Sequence, residues 1–156
     1  MFKNIVWATD GSESADRALA LAKELASTYR AKLFAIHSDE HLVGGRSGGV
    51  PVLADEPDVR ARIRAQVETA RTEGYDASLE VVRSSAGRTA HVIADFAHDV
   101  DADVIVVGTR GHSPLAGALL GSVTQGLLHV ASCPVLAVPP AAVPARKDEA
   151  LAVADA

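Results

Sequence analysis

At 156 residues the chain is one domain long, enough to bury a sizeable core, and its 48% apolar and 22% charged residues are ordinary for a globular fold. A net charge of −5 argues against general affinity for nucleic acid or anionic membranes. No apolar run approaches the roughly 20 residues of a membrane span, and the amino-terminal MFKNIVWATDG lacks a signal-peptide layout, so a cytoplasmic location is expected.

Lys3 to Thr9 reads as a short apolar strand with Trp7 in the core, followed by Asp10-Gly11-Ser12, which supplies a tight turn and a helix cap. In the helix that starts there, Ala15, Leu19, Ala22, Leu25, Ala26 and Tyr29 share one face. Lys32 to Ser38 is a second strand. Asp39 to Pro57 holds Gly44, Gly45, Gly48, Gly49 and two prolines without periodicity, the composition of a long functional or disordered loop. Within it Gly45-Arg46-Ser47-Gly48-Gly49 fits G-x-S-x-G, but the strand before and helix directly after that a nucleophile elbow needs are missing.

A second helix begins near Pro57, with Val59, Ile63, Val67 and Ala70 inward and Arg60, Arg62, Arg64 and Glu68 mostly outward, and Gly74 closes it. Ala77 to Arg83 reads as a half-exposed edge strand. Ala86 to Val100 reads as a third helix that buries Ala90, Ile93, Phe96, Ala97 and Val100.

Val104 to Val107 is a β-branched run without alternation, the pattern of a strand buried on both faces. It stops at Gly108, where a backbone without a Cβ can turn and approach a ligand. Gly121 and Ser122 open a fourth helix reaching about Ala131, whose first amides lack partners within the helix. With the helix dipole and the hydroxyls of Ser122 and Thr124, those amides favour an anion, the chemistry of a phosphate cradle. A plain turn and capped helix would use the same residues.

Val135 to Val138 is the last strand, preceded by Cys133, the lone cysteine, which reads as a small core residue. Prolines 139, 140 and 144 stop the sheet, so the chain divides into a domain over residues 1–139 and a flexible Ala/Pro-rich tail over residues 140–156. Strands alternating with helices give an α/β fold: a five-stranded parallel doubly wound sheet with helices on both faces. Ligands of such sheets bind beyond the carboxyl ends of the strands, where the strand order reverses.

Other chemistry is weakly signalled. The six histidines have no ligand spacing for zinc, and neither a Walker pattern nor G-x-G-x-x-G is present. Asp99, Asp101 and Asp103 read as a helix terminus and turn ahead of a strand rather than as a metal site.

Gly108-x2-Gly111-x9-Gly121-Ser122 after a buried strand resembles the nucleotide-binding signature of the universal stress protein family, in the branch that binds ATP. The segments NIVWATD, LFAIHS, DADVIVVG and CPVLAV also fall where that family has them, over roughly residues 1 to 139. The resemblance implies the strand order 3-2-1-4-5, with Asp10 and Gly108 converging between the first and fourth strands. It implies ATP with Mg²⁺ as the ligand, bound by Ala8, Thr9 and Asp10 at the first strand's end, with Asp10 on the ribose or helping to hold the divalent ion. Capping the first helix is the alternative role for Asp10. His37 and Ser38 would offer backbone to adenine, and Gly108, Gly111, Gly121, Ser122, Val123 and Thr124 would wrap ribose and phosphates. Arg110 and His112 either reach the phosphates or are simply exposed.

The resemblance further implies a homodimer through Val135 to Val138. No residue near the cradle reads as a general base or nucleophile. The expectation is therefore a nucleotide-dependent stress regulator with at most slow ATP hydrolysis. The alternatives are an ATP-hydrolysing or nucleotidyl-transferring enzyme on the same fold, and a dimerisation adaptor whose pocket is empty or holds another adenine nucleotide such as cyclic AMP.

Overall fold

The computed structural model describes residues 1–41, 56–85, 87–110 and 120–141. Strands and helices alternate as β1 (Asn4–Ala8), α1 (Glu13–Tyr29), β2 (Lys32–His41), α2 (Glu56–Thr72), β3 (Ala77–Ser85), α3 (Thr89–Asp99), β4 (Val104–Gly108), α4 (Ser122–Val130) and β5 (Val135–Val138). Every strand pairing is parallel and the sheet order is β3-β2-β1-β4-β5, the topology expected from the sequence. No helix among the described residues is long and apolar enough to cross a membrane.

Strand parity divides the core into two layers. Ile5 and Trp7 of β1, Leu33 and Ala35 of β2, and Val104 and Val106 of β4 join Ala18, Ala22, Ala26, Ile63, Val67 and Ala70 of α1 and α2. Val6, Ala8, Ile36, Ile105 and Val107 point the other way, onto Ala90, Ile93, Ala97 and Leu127 of α3 and α4. The β4 run lacks alternation because both of its faces are covered. Trp7 is fully buried, and its indole Nε1 donates to the Ala15 carbonyl at 2.9 Å, so the largest core side chain leaves no polar atom unpaired.

Ser12 caps α1 by accepting the Ala15 amide at 3.3 Å, and Glu13 and Asp16 place negative charge in the first turn, where the dipole favours it. The helix ends at Arg30 in the left-handed region, φ 54°. Tyr29 is not inward as its spacing suggested: it lies in the last turn, partly exposed, with its ring edge-on to Phe2 at 5.0 Å. Phe96 and Val100 are likewise only half-buried, packed at the margin of the second layer.

The expected 39–57 loop is shorter at both ends. Asp39, Glu40 and His41 continue β2 opposite Arg83, Ser84 and Ser85, because a ladder is made by main-chain groups and polar residues can extend it. At the other end α2 begins at Glu56. The G-x-S-x-G segment therefore lies outside the described residues, as does most of the expected 140–156 tail. Helix α3 begins only at Thr89, after Gly87 in a left-handed turn, and α4 stops at Val130, with Ala131 as its extended C-cap.

The aspartate cluster sits at the amino ends of β1 and β4, opposite the candidate site. Asp103 Oδ2 accepts the amides of Lys3 at 2.6 Å and Asn4 at 2.9 Å, and the Asn4 side chain donates to the Val100 carbonyl at 2.9 Å. These two amides, Asn4's first, hold the Asp103 carboxyl below its ordinary value. Cys133 is half-buried, and burial pushes its thiol up, with the Asp103 charge adding to the effect.

Candidate functional site

The carboxyl ends of β1, β2 and β4 meet at one edge of the sheet. Thr9 continues from β1: its amide donates to the Ile36 carbonyl at 3.0 Å, and its hydroxyl oxygen accepts the Gly11 amide at 3.1 Å. Asp10 Oδ1 accepts the Ser12 amide at 3.0 Å, so Asp10 shapes the turn while Ser12 is the cap of α1. Ala8 is buried within the ladder, paired with Ile36 and Val107.

Gly108 ends β4 against the first turn of α1. A Cβ built on it would lie 2.2 Å from Ser14 Oγ and 2.7 Å from the Ser14 carbonyl carbon. The glycine is thus required by the helix packed behind it, whereas the sequence reading assigned it to close approach by a ligand. Both main-chain groups of Arg110 are held by the same turn: its amide donates to Ser14 Oγ and its carbonyl accepts from Ser12 Oγ, each at 3.3 Å. The Arg110 side chain is exposed. Thr109 donates to the Val138 carbonyl at 2.8 Å and accepts the Gly121 amide at 2.7 Å, which ties the start of α4 to the ends of β4 and β5.

Gly121 is the N-cap of α4, with φ −67° and ψ 158° and no side-chain cap. The first helical bond runs from the Gln125 amide to the Gly121 carbonyl at 2.9 Å. The amides of Ser122, Val123 and Thr124 consequently have no partner within the helix and carry the positive end of its dipole, a fit for an anion. The Thr124 hydroxyl is not among the donors on offer: it is buried and donates to the Gly108 carbonyl at 2.8 Å, pinning helix to strand end. Ser122 is exposed and Val123 half-buried. Gly111 and His112 lie outside the described residues.

At the β2 end, Ser38 Oγ donates to Ser84 Oγ at 2.8 Å, and Ser84 meets Thr89 at 2.9 Å, so this side chain faces β3 and α3. His37 points to the opposite layer. Its Nδ1 lies 2.9 Å from the Thr9 carbonyl, and its Nε2 lies 3.1 Å from Asp39 Oδ1. Arg60 of α2 approaches Asp39 Oδ2 at 3.3 Å, and Arg62 donates to the Gly11 carbonyl at 2.8 Å and pairs with Asp16. Both arginines lie on the outward side of α2, as expected, and from there they also tie its first turns to Asp39 at the end of β2 and to Gly11 after β1.

Sequence reasoning therefore missed Ser14, Asp39, Arg60 and Arg62. For Asp39 a signal existed: Leu33, Ala35 and His37 alternate toward one layer, and position 39 continues that parity. Among the described residues no group of three His, Cys, Asp or Glu side chains could hold a metal ion.

Comparison with known proteins agrees with this arrangement. The universal stress protein family profile matches residues 1–139. A universal stress protein of Thermus aquaticus is 36% identical over 144 residues, 88% of this chain and 99% of its own length. Two solved structures are each 28% identical: a universal stress protein in complex with cAMP, at TM-score 0.63 over 88% of this chain and 96% of that one, and the Archaeoglobus fulgidus protein in complex with dAMP, at TM-score 0.61 over 88% and 98%. The chain belongs to the universal stress protein family.

Proposed function

We propose that this chain is a cytoplasmic, nucleotide-dependent stress regulator that binds ATP at the carboxyl ends of β1, β2 and β4. The observation that carries the reading is the start of α4. Three successive amides, at Ser122, Val123 and Thr124, stand behind an uncapped Gly121 that Thr109 anchors to the end of β4. Phosphate groups would take these amides, and the Ser122 hydroxyl would add a donor.

Adenine would lie over the main chain of His37 and Ser38, whose side chains are turned into the protein. Ala8 and Thr9 would border it, and Asp10 would meet the ribose. A divalent ion would arrive with the phosphates, Asp10 being the carboxylate at hand. Arg110, whose side chain is exposed, would add charge on the phosphate side.

A second reading, an adenine monophosphate in place of ATP, is favoured by the relatives solved with cAMP and dAMP. In either case the chain would work as a homodimer through β5. Mass spectrometry of nucleotide released from freshly purified protein tests the ligand. ATP, AMP or cyclic AMP at near one per chain supports nucleotide binding and chooses between the readings. Protein that carries none, and binds none when titrated, refutes both.

A further inference from the structure

The turn that joins β1 to α1 is held by a side chain from a distant helix. Gly11 is buried and sits in the left-handed region, φ 77°. Its amide donates to Thr9 Oγ1 at 3.1 Å, within the turn, but its carbonyl accepts from an Arg62 guanidinium nitrogen of α2 at 2.8 Å. The Gly11 carbonyl and the Ser12 amide belong to one planar peptide group, so their directions are fixed together. The Ser12 amide donates to Asp10 Oδ1 at 3.0 Å. Arg62 therefore grips one end of a peptide plane whose other end grips the Asp10 carboxylate. With the carbonyl released the plane can turn, because glycine opposes such rotation least.

Arg62 is itself held in place. A second guanidinium nitrogen pairs with Asp16 of α1, and Asp16 Oδ1 accepts from Gln66 Nε2 of α2 at 2.7 Å, so the rigid fork spans the two helices. Val59 of α2 also closes on the turn: a Cβ on Gly11 would lie 2.9 Å from Val59 Cγ1. The Arg62 side chain is exposed, so the core does not need it, and what it satisfies is the carbonyl of a buried glycine.

We propose that Arg62 is a positioning residue for the nucleotide: it fixes the Gly11–Ser12 peptide, the peptide fixes the Asp10 carboxylate, and the carboxylate meets the ribose hydroxyls in one orientation. This rests on the nucleotide-binding reading above, in which Asp10 faces the ribose. An acceptor fixed in advance loses less freedom on binding than a mobile one, and only a ligand that uses the acceptor gains from it. Arg62 therefore contributes to affinity through the sugar and not through the phosphates at α4.

The test has two arms on the full chain. First, NMR hydrogen exchange follows the Ser12 amide in nucleotide-free wild type and Arg62→Met, a variant that keeps an apolar stem and removes the donors. Exchange should quicken on the order of tenfold, the loss of about one hydrogen bond to a charged group. An unchanged Ser12 amide overturns the proposal.

Second, calorimetry compares ATP with 2′,3′-dideoxy-ATP, which lacks both ribose hydroxyls, on the same two proteins. Wild type should prefer ATP about tenfold, and the preference should fall to near unity in Arg62→Met with the affinity for the dideoxy nucleotide unchanged. Should Arg62→Met not fold, Asp16→Asn, which loosens the fork without touching Gly11, decides by the same comparison. A variant that weakens both nucleotides equally, as a merely structural loss does, overturns the proposal, and so does a wild type indifferent to the hydroxyls. Wild type that binds neither nucleotide refutes the site itself, and the proposal with it.

Discussion

Ser14 and Gly108 claim the same space: a side chain on Gly108 would begin 2.2 Å from Ser14 Oγ and 2.9 Å from the Ala15 amide nitrogen. The helix backbone itself must move to admit a methyl group. Gly108→Ala should therefore cost about 2–3 kcal/mol of stability in nucleotide-free protein, in the range of overpacked cores. Urea unfolding without ligand measures it. A variant as stable as wild type that has merely lost nucleotide affinity would return the glycine to the ligand-approach role.

Asp103 ties the amino ends of β1 and β4 together through two amides. Its carboxyl is held below the ordinary value, so the stabilisation is fully present above the unfolded pKa, about 4. It is lost as pH falls through the lower folded value. Asp103→Asn should destabilise the domain on the order of 1 kcal/mol at neutral pH, because the group is partly exposed. Denaturation midpoints of the two proteins should converge in acid. A gap that persists at acid pH would assign the loss to shape rather than charge.

Arg30 closes α1 in a left-handed conformation, φ 54°, which an L side chain resists and glycine does not. Arg30→Gly should stabilise the protein by about 0.5–1 kcal/mol, roughly two or three degrees in Tm for a chain of this length. Calorimetry of the folded variant decides. A lower Tm would mean that the arginine side chain contributes more than its backbone strain costs.

β5 is an edge strand, and Leu136 on it is 37% exposed, with Leu128 of α4 54% exposed. Pairing with a second copy would satisfy its outer main-chain groups and cover apolar surface. Light scattering at micromolar concentration should give a dimer for wild type and a monomer for Leu136→Lys. A wild-type monomer removes the dimer from the account.

Much of the fold was legible because its strongest signals are local. The β4 run without alternation announces two covered faces, and the helical spacing of Ala15, Ala22, Ile63 and Val67 announces the buried sides of α1 and α2. The residues that build the strand ends were less visible, because their partners are distant in sequence. Ser14 meets Arg110 and Val138, and Arg62 meets Gly11, across 51 to 124 positions. Thr124 was read correctly as part of the α4 start and wrongly as a phosphate donor, since nothing local reveals that the Gly108 carbonyl takes its hydroxyl. Asp39 was lost to a loop reading because polar residues at the end of a strand look like a turn, although the ladder to Arg83 needs only main chain.

The central claim is that the open amides at the start of α4 hold nucleotide phosphate, and ATP titration by calorimetry on wild type and Gly121→Val tests it most directly. Gly121 has φ −67° and ψ 158°, a conformation open to valine, so the variant should keep its circular dichroism spectrum while its branched side chain fills the anion's place. Charge-assisted hydrogen bonds contribute roughly 1.5–3 kcal/mol each, so losing two should weaken ATP binding on the order of a hundredfold or more. Unchanged affinity in a folded Gly121→Val protein would contradict the phosphate site.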